Sequence, residues 1–242
     1  ENLDRLDYLK LGKNSKEYKY LLEQREKMGG FLPKREAVKA NLKVKNSSHF
    51  EEFSTQSKRE MSTTMVFVRL ITSLLRDEKI GKNIVPIVPD EARTFGMDGL
   101  FRQFGIYSRE GQKYQPEDAD KVMWYRESED GVMLEEGINE AGAFSAWIAL
   151  ATSYANNSLP MIPFYIYYSM FGFQRVHDLA WAAGDARARG FLLGATSGRT
   201  TLNGEGLQHQ DGHSHLLAQT IPNCKSYDPC FDYELAAIIK NG

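Results

Sequence analysis

The chain has 242 residues, of which 42% are hydrophobic, and its formal net charge at pH 7 is -2. This length and hydrophobic content suit one large domain with a real core, whereas the near-neutral charge lacks the basic footprint of a nucleic-acid-binding protein. The two cysteines, Cys224 and Cys230, are too few for a disulfide framework and favour a reducing, cytoplasmic compartment, and no apolar run is long enough to span a membrane.

Residues 1–47 are predicted to form an arm or linker from a preceding domain rather than part of the core. The chain begins at Glu1 without an initiator Met, from which we expect it to be a piece of a longer protein. Within the arm, one helical pattern covers residues 16–28, a glycine pair ends it, and Phe31-Leu32-Pro33 follows as an extended segment. Residues 48–242 are predicted to form the folded domain.

Apolar periodicity predicts helices that alternate with strands along the folded domain. The predicted helices cover residues 50–76, 95–107, 138–154, 175–189 and 231–240, and the predicted strands cover residues 83–88, 161–168, 191–196 and 224–227. Pro86 favours an edge position for the first strand, and Asp228 is the expected cap of the last helix. The alternation argues for an α/β fold, with a mostly parallel sheet and helices on both faces.

The helix predicted after Gly137 carries the first candidate functional group. Its expected apolar face recurs at steps of three or four residues, namely at Ile138, Ala141, Phe144, Ile148 and Ala151. Glu140 then lies in the first turn, where the helix dipole favours a carboxylate. A carboxylate between this apolar helix and the aromatic stretch at residues 164–168 can act as an acid. The alternative is an ordinary carboxylate at a helix N-terminus.

Polar loops follow three of the predicted strands. Asp90 and Glu91 end the first strand, residues 168–173 follow the second, and the glycine-rich residues 197–215 follow the third. The carboxyl ends of parallel strands meet at one edge of a sheet, where such sheets bind ligands. We therefore expect these loops and Glu140 to converge on one site. An ion pair with Arg93 is the alternative explanation of the first loop.

Four stretches of the sequence resemble one enzyme family. They are DEARTFGM at residues 90–97, EGINE at 136–140, PFYIYYSMFGFQR at 163–175 and GRTTLNGEGLQH at 198–209. All four resemble the homodimeric bacterial pyruvate dehydrogenase first component, a thiamine-diphosphate-dependent decarboxylase. The start of the Glu140 helix is also shared with transketolases. The resemblance implies the thiamine-diphosphate-binding fold, with this chain as the middle, pyrimidine-binding domain.

The resemblance implies which residues hold the cofactor. Glu140 would hydrogen-bond the ring nitrogen N1′ of the aminopyrimidine, which favours the imino tautomer that removes the thiazolium C2 proton. Phe171 would stack on the aminopyrimidine. Ile138 would line the pyrimidine pocket, and Glu91 would lie near the thiazolium side.

The resemblance also implies which residues, in addition to Glu140, take part in catalysis. Tyr168 would hydrogen-bond the substrate oxygen, and His209 would transfer a proton or recognise the carboxylate. Asp90 is the second acidic residue expected near the thiazolium side. His213 and His215 lie in the same glycine-rich loop, but we expect them to be hydrogen-bonded scaffold residues.

Cofactors and partners follow from the same resemblance. Thiamine diphosphate is expected together with Mg²⁺, but the Gly-Asp-Gly motif that holds the metal and the diphosphate does not occur in this sequence. The Mg²⁺ site is therefore expected in an N-terminal domain, and no metal ligand is assigned here.

The implied protein is a homodimer that decarboxylates pyruvate oxidatively. It would acetylate the lipoyl domain of dihydrolipoyl acetyltransferase. The alternatives are a transketolase-like enzyme and a non-catalytic dimerisation module that holds half of a cofactor site.

Overall fold

The computed structural model describes residues 11–30, 42, 48–53, 60–117, 125–196 and 205–242. The chain divides into two compact units, Glu1–Ala37 and Val38–Gly242. In the first unit, helix α1 (Lys16–Lys27) confirms the helix predicted at residues 16–28, and the Ser15 hydroxyl caps it by accepting the N–H of Tyr18 at 3.1 Å. The predicted extended segment Phe31-Leu32-Pro33 lies outside the described residues. The predicted boundary between arm and domain at residue 48 stays a prediction.

The second unit alternates helices and strands. Its described helices are α2 (Ser48–Glu51), α3 (Thr63–Leu75), α4 (Asp98–Phe104), α5 (Glu140–Asn156), α6 (Gly172–Asp185), α7 (Ser214–Gln219) and α8 (Asp232–Asn241). Its described strands are β1 (Ile84–Val88), β2 (Ile106–Tyr107), β3 (Glu127–Ser128), β4 (Leu134–Glu135), β5 (Ile162–Tyr168) and β6 (Phe191–Ala195). Within the described ranges, no helix is both long enough and apolar enough to cross a membrane.

The main sheet is parallel throughout and has the strand order β4-β1-β5-β6. Strands β1, β5 and β6 confirm three of the four predicted strands, and the parallel pairing confirms the predicted sheet type. A separate parallel pair joins β2 to β3. The strand predicted at residues 224–227 is wrong, because residues 224–230 have no regular structure and the fourth strand is β4. Lys225, Ser226 and Tyr227 are all exposed, so this segment has no face to bury in a sheet.

Pro86 does not place β1 at an edge, because β1 lies between β4 and β5. Strand β4 pairs with β1 at Ile87 and Val88, so among the described strands β1 has no neighbour on that side at Pro86. Pro163 in β5 likewise has no described neighbouring strand on one side, since the pairing of β5 with β6 begins one residue later, at Phe164. A proline lacks the N–H that a ladder needs, and both prolines are tolerated where one neighbouring strand is missing.

Strands β1, β5 and β6 each contribute to two cores, one on either face of the sheet. In β5, Phe164 and Ile166 belong to the core formed with α3 and α8, while Tyr165 and Tyr167 belong to the core formed with α5 and α6. The side chains of a strand alternate between the two faces of a sheet, so nearly every residue of β5 is apolar and buried. This arrangement confirms the prediction of helices on both faces.

The single helix predicted over residues 50–76 is wrong, since residues 60–62 are not helical and α3 begins after them. The Ser62 hydroxyl caps α3 by accepting the N–H of Met65 at 3.2 Å, which is the role that serine prefers over a helix interior. Helix α8 confirms the last predicted helix, but its predicted cap, Asp228, is wrong. Glu234 accepts the N–H groups of Cys230 and Phe231 instead, at 2.8 Å and 3.1 Å.

We expect Gly131→Ala to lower the free energy of unfolding by at least about 2 kcal/mol, because the added methyl group overlaps backbone that cannot move aside. A Cβ at Gly131 would lie 2.2 Å from the carbonyl carbon and oxygen of Ile106. Gly99→Ala in α4 is the matched control, since its Cβ would meet nothing within 4 Å. Urea unfolding of both variants tests this. Equal midpoints for Gly131→Ala and wild type would contradict the packing described.

Candidate active site

Backbone hydrogen bonds hold the start of α5 beside the carboxyl end of β1. The N–H of Glu136 donates to the carbonyl of Val88 at 3.0 Å, and the N–H of Asn139 donates to the carbonyl of Pro89 at 2.9 Å. Because Glu140 is the first residue of α5, its position follows directly from these bonds. Glu140 therefore lies at the edge of the sheet where ligands of α/β proteins bind.

Helix α5 confirms the predicted helix, with Glu140 in its first turn, but it begins two residues later than predicted and buries a different face. The Asn139 side chain caps it by accepting the N–H of Gly142 at 3.0 Å. Ile138 precedes the helix and is 76% exposed, and Ala141 is also exposed, so the predicted apolar face is wrong at these two positions. The buried face is formed by Ala143, Phe144, Trp147 and Ala151. Glu140 is on this buried side and is only 8% exposed.

Arg175 joins Glu140 to the Phe171 ring. Its guanidinium forms a hydrogen-bonded ion pair with the Glu140 carboxylate and lies 4.3 Å from the centroid of the Phe171 ring. The side chain of Glu140 is 10% exposed, whereas that of Arg175 is 44% exposed. Arg175 ends the aromatic stretch that resembles the family, but no sequence pattern predicted a functional role for it.

Tyr168, Phe171 and His209 form a cluster, as the sequence predicted for the ends of two strands. The ring centroid of His209 lies 5.2 Å from that of Phe171 and 5.9 Å from that of Tyr168, both edge to face. The Nδ1 atom of His209 is buried and has no hydrogen-bond partner within the described part of the chain. Its Nε2 atom lies 3.5 Å from the carboxylate of Glu205. The buried Nδ1 atom is thus available to a ligand.

Asp90 and Glu91 lie at the end of β1, on the same side as Glu140. Burial raises the pKa of Asp90, and the negative charges of Glu91 and Glu140 raise it further, while Arg175 lowers it. Asp90 is thus within electrostatic reach of the Glu140–Arg175 pair. Glu91 accepts a hydrogen bond from the Thr94 hydroxyl at 3.1 Å. The described contacts include no ion pair between these two acids and Arg93, the alternative that the sequence left open.

Glu135 is a further buried carboxylate that sequence reasoning missed. One of its oxygens accepts the N–H of Ala92 at 3.3 Å, and the other is buried with no hydrogen-bond partner among the described residues. Burial raises the pKa of Glu135. The residue lies in β4, a two-residue strand that the hydrophobic pattern does not reveal, so no signal in the sequence pointed to it.

Asp211 connects the glycine-rich loop to the end of β5. Its carboxylate accepts hydrogen bonds from the Ser169 hydroxyl and from the N–H groups of His213 and Ser214, the latter two at 3.0 Å and 3.1 Å. Burial alone would raise the pKa of Asp211, but these hydrogen bonds outweigh it and lower the pKa to about 2. His215 bonds to the Ser226 hydroxyl. The Nδ1 atom of His213 lies 3.5 Å from the Asp211 carboxylate, and the scaffold roles expected of both loop histidines stay a prediction.

The fold and the site define an α/β domain of the thiamine-diphosphate-binding fold, of the pyrimidine type. The chain belongs to the pyruvate dehydrogenase E1 component middle domain family, whose model matches residues 44–242. This match confirms the resemblance found in the sequence and favours it over the transketolase alternative.

Close relatives carry the corresponding name. The chain is 60% identical over 242 residues to the pyruvate dehydrogenase E1 component of Pseudomonas aeruginosa, and 54% identical over 242 residues to that of Escherichia coli K12. Each alignment covers 100% of this chain but 27% of the relative. The chain thus spans about a quarter of the length of the relatives that it matches.

We expect Asp211→Asn to lower the free energy of unfolding by about 1–2 kcal/mol near pH 7, after allowance for solvent screening. The folded-state pKa of Asp211, about 2, lies below the ordinary value of 3.8. The charged carboxylate therefore stabilises the fold above the unfolded-state pKa, and this contribution is lost as the pH falls through the folded-state pKa. The difference between wild type and variant should fall to about half by pH 3.

Urea unfolding of wild type and variant at several pH values between 7 and 3 provides the measurement. Asp228→Asn is the control, because Asp228 is an exposed acid in the irregular segment before α8. A gap between wild type and Asp211→Asn that stays constant with pH would show that the charge of Asp211 contributes nothing to stability.

Proposed function

We propose that the chain forms the pyrimidine half of a thiamine-diphosphate site in a pyruvate dehydrogenase E1 component. The complete protein would decarboxylate pyruvate oxidatively and acetylate the lipoyl domain of dihydrolipoyl acetyltransferase. One observation carries this proposal: a buried carboxylate, Glu140, and an aromatic ring, Phe171, both contact the planar guanidinium of Arg175. Membership of the family supports the same proposal.

The contacts of the Arg175 guanidinium indicate whether Glu140 and Phe171 could hold an aminopyrimidine. Both groups are planar and delocalised, and both present N–H groups at their edge. The Glu140 carboxylate accepts a hydrogen bond from Nη1 of the guanidinium, and the central carbon of the guanidinium lies over the Phe171 ring, 4.3 Å from its centroid. An aminopyrimidine requires the same two contacts, one in the ring plane and one against the ring face. Glu140 and Phe171 therefore suit the aminopyrimidine ring of the cofactor.

Glu140 would hold a proton between its carboxylate and the ring nitrogen N1′. Because the Glu140 side chain is only 10% exposed, this hydrogen bond would be stronger than in water. Phe171 would fix the plane of the ring through an offset contact worth about 1 kcal/mol. Ile138, exposed beside Glu140 in this chain, would complete the pyrimidine pocket. Thiamine diphosphate itself supplies the electron sink that a 2-oxo acid needs to lose carbon dioxide.

Tyr168 and His209 would contact the substrate. Burial raises the pKa of the Tyr168 phenol, so the hydroxyl stays protonated near neutral pH and can donate to the substrate oxygen. The buried Nδ1 atom of His209, which has no hydrogen-bond partner among the described residues, would serve proton transfer or bind the substrate carboxylate. Asp90 and Glu91 would face the thiazolium ring, whose positive charge compensates for two neighbouring acids.

The remaining assignments extend the proposal to the assembly. We propose that Mg²⁺ and the diphosphate are held outside the residues assigned here, that the protein is a homodimer, and that it works in the cytoplasm. None of the residues proposed for this half-site is a metal ligand. The half-site is open at Ile138, which a complementary surface would cover.

We expect Glu140→Gln, introduced into the complete gene product, to slow pyruvate decarboxylation by about 10²–10⁴-fold, because the amide cannot take up the proton shared with N1′. The measurement is carbon dioxide release at saturating thiamine diphosphate and Mg²⁺. Glu136→Gln is the matched control, because Glu136 is an exposed acid four residues earlier in the same segment. Wild-type turnover by Glu140→Gln would refute the assignment.

His209→Gln should lower kcat by about 10²-fold while leaving the affinity for thiamine diphosphate within about twofold of wild type. This split follows because His209 would act on the substrate rather than hold the cofactor. His177→Gln serves as control, since His177 hydrogen-bonds to Thr220 at the end of α7 and has no role in the proposed half-site. Loss of cofactor affinity in His209→Gln, with kcat unchanged once the cofactor is saturating, would contradict the role given to this histidine.

A further inference from the structure

Ser169 joins the end of β5 to the glycine-rich loop through both its hydroxyl and its carbonyl. The hydroxyl donates to one carboxylate oxygen of Asp211, and the carbonyl accepts the Ser214 hydroxyl at 3.2 Å. Ser169 is 6% exposed, and the side chain of Asp211 is 8% exposed. A hydrogen bond from a hydroxyl to a carboxylate is charge-assisted, and burial strengthens it. The loop is therefore fastened to the strand end at this point.

The residues that the proposed function assigns to the substrate lie close to this hydrogen bond in the chain. Tyr168 immediately precedes Ser169, and His209 comes two residues before Asp211. The ring centroid of His209 lies 5.9 Å from that of Tyr168 and 5.2 Å from that of Phe171. Two residues of chain span at most about 7 Å, so a bond at Asp211 limits how far His209 can move from the strand end.

We propose that Ser169 is a positioning residue for the decarboxylation, whose hydroxyl, through Asp211, holds the His209 imidazole at its place beside Tyr168. This inference rests on the proposed function, and it adds to it a residue that acts through His209 rather than on the substrate.

The two carboxylate oxygens of Asp211 have separate partners. Oδ1 accepts the N–H groups of His213 and Ser214, at 3.0 Å and 3.1 Å, whereas Oδ2 accepts the hydroxyl of Ser169. Burial raises the pKa of Asp211, but its hydrogen bonds lower the pKa to about 2, so the acceptor is charged near neutral pH. Removing the Ser169 hydroxyl therefore breaks the link to the strand and leaves the bonds within the loop in place.

The backbone of β6 confines the Ser169 side chain from the other side. A Cβ at Gly194 would lie 3.0 Å from Oγ of Ser169 and 3.1 Å from its Cβ, so the glycine leaves just enough room for serine. The position thus needs a small side chain that also carries a hydrogen-bond donor. Alanine satisfies the first requirement and not the second, which makes Ser169→Ala a test of the hydrogen bond rather than of the packing.

Ser169→Ala in the complete gene product should lower kcat about tenfold, because a misplaced imidazole transfers protons poorly. Its affinity for thiamine diphosphate should stay within about twofold of wild type, since Glu140 and Phe171 are untouched. Carbon dioxide release at saturating cofactor and calorimetric titration provide the two measurements. Ser145→Ala is the matched control, because the Ser145 hydroxyl bonds to the carbonyl of Ala141 within its own helix, at 2.8 Å. Wild-type kcat in Ser169→Ala, or weaker cofactor binding that accounts for the whole loss, would overturn the proposal.

A double-mutant cycle distinguishes positioning of His209 from general support of the fold. Added to His209→Gln, Ser169→Ala should lower kcat by less than about twofold, because no imidazole is left to position. A further tenfold loss in the double variant would overturn the proposal and leave the proposed function standing. Wild-type kcat in His209→Gln alone would overturn both. If Ser169→Ala does not fold, Asp211→Asn, which weakens the same bond by removing the charge, is measured in its place and judged by the same outcomes.

Discussion

The structure of the site depends on burying one carboxylate, that of Glu140, where a helix meets the sheet. A buried charge needs a partner and a rigid frame, because desolvation otherwise makes its position unfavourable. The frame comes from the bonds of Glu136 and Asn139 to the end of β1, and from the Asn139 cap on α5. The positive end of the helix dipole adds a smaller stabilisation. With the acid fixed, the Arg175 and Phe171 contacts follow.

The parallel sheet brings the other groups to the same edge. Strands β1 and β5 both end there, which places Asp90, just after β1, and Tyr168, the last residue of β5, at the same edge. The glycine-rich loop after β6 then returns to this edge, where Asp211 accepts a hydrogen bond from Ser169 and His209 packs on Phe171. Two cores, one on each face, support the strands from both sides. The site is thus built from loops whose starting points are rigid.

The sequence predicted the parts of the fold that have a strong local pattern. Strands β1 and β5 are continuous apolar runs because both of their faces are buried, so they were found with nearly correct ends. Strand β4 has two residues and no pattern, whereas residues 224–227 look like a strand but have no apolar face, and both were misjudged. Arg175 was missed because its partner, Glu140, is 35 residues away, and no local signal joins them. Tyr168, Phe171 and His209 were found through resemblance rather than periodicity.

The two strand prolines have a consequence for the width of the sheet. Among the described strands, only β1 and β5 are present at the level of Val85 and Pro163, and all four are present at the level of Ile87 and Tyr165. The sheet therefore has fewer strands at the end remote from Glu140 than at the end beside it. Fraying would start at the two-stranded end, where each amide has fewer neighbouring strands. The four-stranded end beside Glu140 would therefore be the last part of the sheet to open.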